Sequence, residues 1–403
     1  MMNKENFNGL GIAPNILGVL DKSGFKEPTP IQHQSIPPGL EGRDLIGIAQ
    51  TGTGKTLAFG IPMVQKCLAG KLGLVVLPTR ELAIQVEETL KKIGRPLGIK
   101  TAVLIGGENM GRQIQSIRRR PDIFIGTPGR IIDHTERRTL KLSSVDILVL
   151  DEADRMLDMG FAPQLKRILD ILPQNRQTLL FSATMPNDIV TLAKNYMKLP
   201  LRVEVAPQGT VAEKVEHELF FVGRPDKPKL LEKILKDYRG SILVFSRTKY
   251  GARKIASGIR ALGYTATEIH SDRTLKQRKE ALKGFKDGRY RVLVATDIAA
   301  RGIDVDNIEL VINYDLPDSP EDYVHRIGRT GRAGKYGKAI SFATPDQKRD
   351  VWGIEKLIRL QLPLSKLPEG MSPAKEARPR PSGGRLNPRF NNRRGNFHKR
   401  RRR

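Results

Sequence analysis

The chain has one cysteine, Cys67, in 403 residues, which excludes an internal disulfide and argues against a thiolate metal cluster. Its six histidines are scattered and show no metal-ligand spacing. No run of about 18 apolar residues occurs, so no membrane span is expected. The opening stretch, MMNKENFNGLGIAPN, lacks the apolar segment of a secretory signal, and the expected location is the cytoplasm. Acidic residues are also scarce: 43 Asp and Glu face 70 Lys and Arg, a formal +27. Twelve of the basic residues lie in the last 33, with only Glu376 against them, yet +16 remains on the first 370. A basic body as well as a basic tail argues for a polyanionic partner over charge that serves solubility alone.

What is present begins with alternation. Up to about residue 206, short apolar runs alternate with helix-like stretches: DLIGIA (44–49), GLVVLP (73–78), TAVLIGG (101–107), DIFIGTP (122–128), DILVLDEAD (146–154) and QTLLFSAT (177–184). Each suits a strand buried on both faces of a parallel sheet, followed by a polar loop and a helix. The stretch VEVAPQGTVAEK (203–214) reads as the junction between domains, with 207–214 as the linker. A second series follows in 215–365: HELFFVG, SILVFSRT, YTATEIHSD, YRVLVATD, ELVINYDLP and KAISFAT. From 366 to 403, Pro, Gly, Asn and Arg leave too few apolar groups to offset chain entropy, so a disordered tail is expected. The expected fold class is α/β: two tandem domains, 1–206 and 215–365, each a mainly parallel sheet flanked by helices, plus that basic tail.

In open parallel sheets, ligands sit at the carboxyl ends of the strands, and the motifs fall there. AQTGTGKT (49–56) follows a strand ending at Ala49 and precedes a helix beginning near Lys55. Gly52 and Gly54 let the backbone turn its N–H groups toward phosphates, and the helix N-terminus adds a positive field. Lys55 can reach the β/γ-phosphates, and the Thr56 hydroxyl can ligand Mg²⁺. Ala49 stands where the general phosphate-loop pattern has its first glycine, so that pattern holds from its second fixed position onward. DEAD (151–154) follows ILVL: Asp151 is placed to hold Mg²⁺, directly or through water, and Glu152 to orient and deprotonate a water. A plain acidic helix N-terminus is the competing account, above all for Asp154. HRIGRTGR (325–332) puts Arg329 and Arg332 three apart, on one helical face. Arginine offers the permanent charge and rigid donor fork that a transferring phosphoryl group needs; a surface salt-bridge cluster is the alternative. Together these motifs suggest a nucleotide held between two domains, in a site complete only while they are closed.

From Phe7 to about residue 345 the chain resembles the DEAD-box ATP-dependent RNA helicases of superfamily 2, most of all the bacterial RhlE-type subgroup. GFKEPTPIQ (24–32) resembles the Q motif, with Phe7 as its upstream aromatic. PTRELA (78–83), Gly106-Gly107 and TPGR (127–130) resemble first-domain RNA motifs, and SAT (182–184) the element linking hydrolysis to strand separation. ILVFSRT (242–248), ATDIAARGID (295–304) and HRIGRTGR resemble motifs IV, V and VI. The resemblance implies two RecA-like domains with ATP and Mg²⁺ as cofactors. Gln32 would then read the adenine edge and Phe7 stack on or pack near the base. Ala49, Gln50, Thr51, Gly52, Thr53, Gly54, Lys55 and Thr56 would cradle the phosphates, and Asp304 would contact the ribose from the second domain. Asp154, Ser182, Thr184 and His325 would couple the cycle.

RNA contacts are implied at Pro78, Thr79, Arg80, Gly107, Thr127, Gly129, Arg130, Arg247, Thr296 and Asp297. These residue types suit sugar and phosphate better than base edges, so single-stranded and duplex RNA should bind with little sequence dependence. Where the family often has His-Gly-Asp, this chain has His270-Ser271-Asp272, adding a Cβ where backbone could approach RNA. The implied activity is closure on ATP and RNA, local separation of short duplexes and reset by hydrolysis. The implied setting is bacterial ribosome assembly or RNA decay, with ribonucleoprotein or decay partners and a monomeric core. A DNA motor, a nonenzymatic RNA scaffold and an annealing chaperone working through the tail are the alternatives. That tail interleaves Phe390 and Phe397 with arginines, which suits phosphate contact plus stacking; its terminal KRRRR also resembles an import signal.

Overall fold

The computed structural model describes residues 6–49, 52–205, 215–297, 308–331 and 336–371. The linker 207–214, the site residues Gln50, Thr51, Asp304 and Arg332, and the tail beyond Met371 lie outside the described residues.

Seven strands form the first sheet: β1 (Leu45–Ile48), β2 (Gly73–Val76), β3 (Thr101–Leu104), β4 (Ile123–Gly126), β5 (Ile147–Leu150), β6 (Gln177–Ser182) and β7 (Leu201–Glu204). They run parallel in the order β3-β4-β2-β5-β6-β1-β7. Every residue of β1, β2, β4, β5 and β6 is buried, because helices cover both faces. Alternate side chains feed two cores. Val75, Val149 and Phe181 meet Phe59 and Leu90 on one face, while Leu74, Leu148 and Leu180 meet Ile131 and Leu165 on the other. Each such side chain contributes on the order of 1.5–3 kcal/mol of burial.

The edge strand β7 corrects the junction read at 203–214. Val203 is buried in the core while Arg202 and Glu204 pair at 2.7 Å on the exposed face. One inward apolar residue between two charges gave no strand-like run.

The second sheet contains β8 (Val215–Phe221), β9 (Ile242–Phe245), β10 (Ala266–Ile269), β11 (Val292–Ala295), β12 (Leu310–Asn313) and β13 (Gly337–Ala343). It is parallel throughout, in the order β10-β11-β9-β12-β13-β8. Leu364 bridges to Leu219 at the β8 edge, and Leu367 and Met371 pack against the core beyond. Packing therefore continues a few residues past the expected boundary at 366. The two domains touch: Leu275 of the second packs against the first domain's core, and Arg278 Nη1 meets Glu81 Oε1 at 3.0 Å. Among the described residues, no helix is long and apolar enough to cross a membrane.

Candidate nucleotide and RNA cleft

The loop after β1 is set by two left-handed glycines, Gly52 (φ +88°) and Gly54 (φ +91°), immediately before helix Lys55–Leu68. At Gly54 a Cβ would also collide with the Gln32 amide. That amide donates from Nε2 to the Gly54 carbonyl (2.9 Å) and accepts at Oε1 from the Thr29 N–H (2.9 Å). An amide has a second N–H and a second lone pair, so Gln32 can hold the loop and still address an adenine edge. Phe7 is buried with Leu10 and Ile12 in the first domain's core. Lys55 is 6% exposed, and its buried Nζ has no hydrogen-bond partner. The Asp151 and Glu152 carboxylates are close enough to offset its charge, while its N–H donors stay unmatched.

Strand β5 delivers the acidic loop beside it. Glu152 holds the left-handed conformation (φ +51°), a strained geometry for a non-glycine residue that clusters at functional sites. Burial pushes the Asp151 carboxyl up to about 6 against the pull of Lys55, with Glu152 adding to the rise. Such a carboxylate gains most from an arriving cation. Among the described residues no cluster of three or more His, Cys, Asp or Glu could cage a metal. Burial would raise Glu152 as well, but Arg155, Lys55, Arg329 and His325 outweigh it and hold the carboxyl at about 2. Arg155, buried and paired with Glu152, escaped the sequence reading; its only signal was the spacing of three.

Asp154 is more than a helix-terminal acid. Its Oδ2 accepts from Ala183 N (3.1 Å), Thr184 N (2.8 Å) and Thr184 Oγ1 (2.8 Å), and its own N–H donates to Ser182 Oγ (3.2 Å). The DEAD and SAT loops are thus one hydrogen-bonded unit.

From the second domain, helix Pro320–Ile327 brings its C-terminal end to this loop. Arg329 is 2% exposed and donates from Nε to the His325 carbonyl (3.3 Å). Burial lowers the His325 imidazole, with Asp154, Arg155 and Glu152 all close enough to act on it. Arg326, unassigned from the sequence, is the buried organiser of this end. It grips Asp297 through Nε (2.5 Å) and Nη2 (2.7 Å), and donates from Nη1 to Asn313 Oδ1 (3.1 Å) and the Asp315 carbonyl (2.6 Å). The Asp297 carboxylate, expected at RNA, is thus paired with Arg326 and stays one-fifth exposed. Thr296, beside it at the end of β11, is half-buried, and Arg247 lies exposed with Nε 3.2 Å from Asp318.

A cleft of about 430 Å³ gathers most of the remaining RNA candidates. Pro78, Thr79, Arg80, Thr127, Gly129 and Arg130 line it from the first domain, and Ser271 and Arg278 from the second. The Arg80 guanidinium lies across Gly106 and Gly107 (φ +77°), where a Cβ at Gly107 would strike it. Burial, then neighbouring Arg278, depresses the Arg80 guanidinium, with Glu81 opposing. Thr79 Oγ1 also caps helix Arg80–Gly94, accepting from Leu82 N (3.3 Å).

Two parallel-sheet domains meeting over one phosphate loop, with carboxylates on one side and buried arginines on the other, define a two-domain nucleotide-driven motor of the helicase type. The sequence matches the DEAD/DEAH box helicase family over residues 29–192 and the helicase conserved C-terminal domain over 226–334. It is 42% identical over 366 residues to DEAD-box ATP-dependent RNA helicase CshA of Bacillus subtilis, covering 90% of this chain and 74% of that one. The fold is similar to S. cerevisiae Dbp5 bound to RNA and ADP BeF3 (TM-score 0.81, 30% identity, 91% of this chain and 96% of that one). It is also similar to Mss116p bound to ssRNA and AMP-PNP (TM-score 0.84, 30% identity, 91% and 81%). The chain belongs to the DEAD-box ATP-dependent RNA helicases. The Bacillus relative carries the name CshA, not that of the RhlE-type subgroup.

Proposed function

We propose that this helicase couples ATP hydrolysis to local separation of short RNA duplexes by closing its domains on ATP and RNA together. The observation that carries the reading is the buried Lys55 ammonium, without a hydrogen bond of its own, facing a DEAD loop that Arg329 and His325 approach from the other domain. Lys55 presents its charge to the β/γ-phosphates, and Gln32 transmits base identity to the loop through Gly54. Thr56 and Asp151 would hold Mg²⁺, which when bound neutralises phosphate charge. Glu152 orients the attacking water. Held ionised by Arg155, it is a weak proton acceptor, so positioning outweighs proton removal. Arg329, with Arg332, supplies the cross-domain charge, an effect worth about 10³–10⁵ in rate in related phosphoryl-transfer enzymes. Asp154 passes the state of the loop to Ser182 and Thr184.

RNA lies in the cationic cleft, gripped through backbone and hydroxyl contacts with little sequence readout. The biological setting that fits a compact basic member of this family is bacterial RNA remodelling, such as ribosome assembly or RNA decay. Steady-state ATPase with and without RNA, and strand separation of a short labelled duplex, test the reading. Weak hydrolysis that rises strongly with RNA is expected; a full rate without RNA would overturn the split site. Competition between ribo- and deoxyribo-oligonucleotides for that stimulation separates an RNA from a DNA motor.

A further inference from the structure

We propose a second RNA-binding surface on the outer face of helix Lys348–Ile358, where Trp352 stacks on a base of single-stranded RNA and the basic side chains around it hold the phosphates. The proposal rests on the RNA reading above and adds a site outside the cleft.

Trp352 is the chain's only tryptophan and is 65% exposed. The helix does not need it for packing. Its inner face, Val351, Ile354 and Ile358, is buried in one cluster with Tyr323 and Ile327, residues of the helix that carries His325. The indole therefore stands on the far side of the element that backs the catalytic arginine end. Lys356 Nζ lies 5.3 Å from its ring centroid, and Lys348, Arg349 and Arg359 are exposed along the same stretch, with Asp350 the one exposed acid among them. An accessible aromatic ringed by cations is the pattern that binds single strands without sequence preference: any base offers a π-face, and the cations track the backbone.

Two further points select RNA as the occupant. Protein interfaces are depleted in lysine at their centres, whereas here a lysine lies against the aromatic itself. The chain's own tail is strongly basic and would bring like charge to a basic surface. The surface is also continuous with the RNA path. A Cβ at Gly353, next to Trp352, would come 3.4 Å from Pro320 Cγ, so the two helices touch there. Two residues before Pro320, Asp318 pairs with Arg247 at 3.2 Å. RNA leaving the Arg247 side of the second domain thus reaches this helix next, and an anchor here keeps RNA attached while the cleft opens between cycles.

The test uses the full chain, a single-stranded RNA and an abasic RNA of the same length. Because Trp352 is the sole indole, saturating RNA should quench tryptophan emission and shield it from acrylamide. Trp352→Ala should weaken binding to the intact RNA about five- to tenfold, the lower end of what loss of one stacked base does. It should leave binding to the abasic RNA and ATPase at saturating RNA unchanged, and Trp352→Phe should recover most of the loss. An indole still open to acrylamide at saturating RNA, with equal affinities for wild type and Trp352→Ala, would overturn the proposal and turn the surface over to a protein partner. Equal losses on intact and abasic RNA would overturn it too. Absence of RNA-stimulated ATPase in the wild type would instead strike the cleft reading, since quenching and affinity are measured without turnover.

Discussion

Arg278 of the second domain and Glu81 of the first form a salt bridge, Nη1 to Oε1 at 3.0 Å, with side chains 11% and 5% exposed. Glu81 follows Arg80 in PTRELA, and Arg278 lines the same cleft as Ser271. The strap that joins the domains is therefore built into the wall of the cleft proposed for RNA. Removing one partner of a buried pair strands the other charge, at a cost on the order of 3–5 kcal/mol, but only in the closed arrangement, since water solvates both groups once the domains part. Arg278→Ala should raise the RNA concentration for half-maximal ATPase at least tenfold while leaving thermal unfolding nearly unchanged. The exchange Glu81→Arg with Arg278→Glu should restore part of it. An unaltered RNA dependence would show that closure does not use this pair.

Gln32 makes a second prediction, about nucleotide choice. Adenine offers an amino group and a ring nitrogen to an amide, whereas guanine presents a carbonyl and leaves a mismatched group costing on the order of 1–3 kcal/mol. ATP should outcompete GTP, and Gln32→Ala should blunt the preference. Because Nε2 also donates to Gly54 O, Gln32→Glu should weaken ATP binding at least as much as Gln32→Ala, with two acceptors facing each other. Nucleotide affinities of the three proteins decide it; equal use of GTP by the intact chain would count against the assignment.

The sheet and the phosphate loop were legible because their signals are local. ILVL before Asp151 and LIGI before Ala49 are saturated apolar runs, and saturation on both faces leaves few choices but a central parallel strand. Asp151 and Glu152 are the first residues after one such strand, and Lys55 and Thr56 open the helix that follows the loop after the other. What escaped depends on tertiary approach. Glu81 and Arg278 each look like an ordinary helical charge, and only docking of two distant segments buries them. Asp297 was read with its motif as an RNA contact, and its pairing with Arg326 was not legible from either residue alone. Arg326 itself lay inside a quoted motif, hidden behind neighbours with a more obvious use. β7 escaped for the opposite reason: with one fully buried residue in four, its apolar signal is too sparse to read as a strand.

His134 makes stability of the RNA cleft depend on pH. Its fully buried ring bridges Thr139 Oγ1 (2.9 Å) and Gln113 Oε1 (3.0 Å), while Gln113 donates to Ile105 O (2.8 Å), just before Gly106. The network ties the TPGR helix to the double glycine. Burial, followed by Arg130, lowers this imidazole below its ordinary 6.5, with Asp133 opposing. The unfolded chain therefore binds the proton more readily than the folded one. The contribution is complete above the unfolded value and is lost as pH falls through the lower, folded value. Thermal melts from about pH 8 to pH 5 should show a steeper acid loss for wild type than for His134→Gln. Parallel curves would remove His134 from the account.

Lys55 and Glu152 should part in opposite directions when each is altered. Glu152→Gln keeps the shape and loses the charge, so ATP and RNA should still bind while turnover falls by orders of magnitude, leaving the protein held on RNA with ATP. The same change strands Arg155, buried beside it, so the protein without nucleotide should melt at a lower temperature. Lys55→Met removes a buried ammonium that makes no hydrogen bond, although its charge acts on Asp151 and Glu152. Without nucleotide its melting temperature should hold or rise, while ATP should no longer shift it. Melting curves with and without ATP, together with ATPase rates, read all four quantities. Near wild-type hydrolysis by Glu152→Gln would remove it from the chemistry, and a marked loss of nucleotide-free stability in Lys55→Met would mean that the attraction of Asp151 and Glu152 outweighs the cost of burying the ammonium.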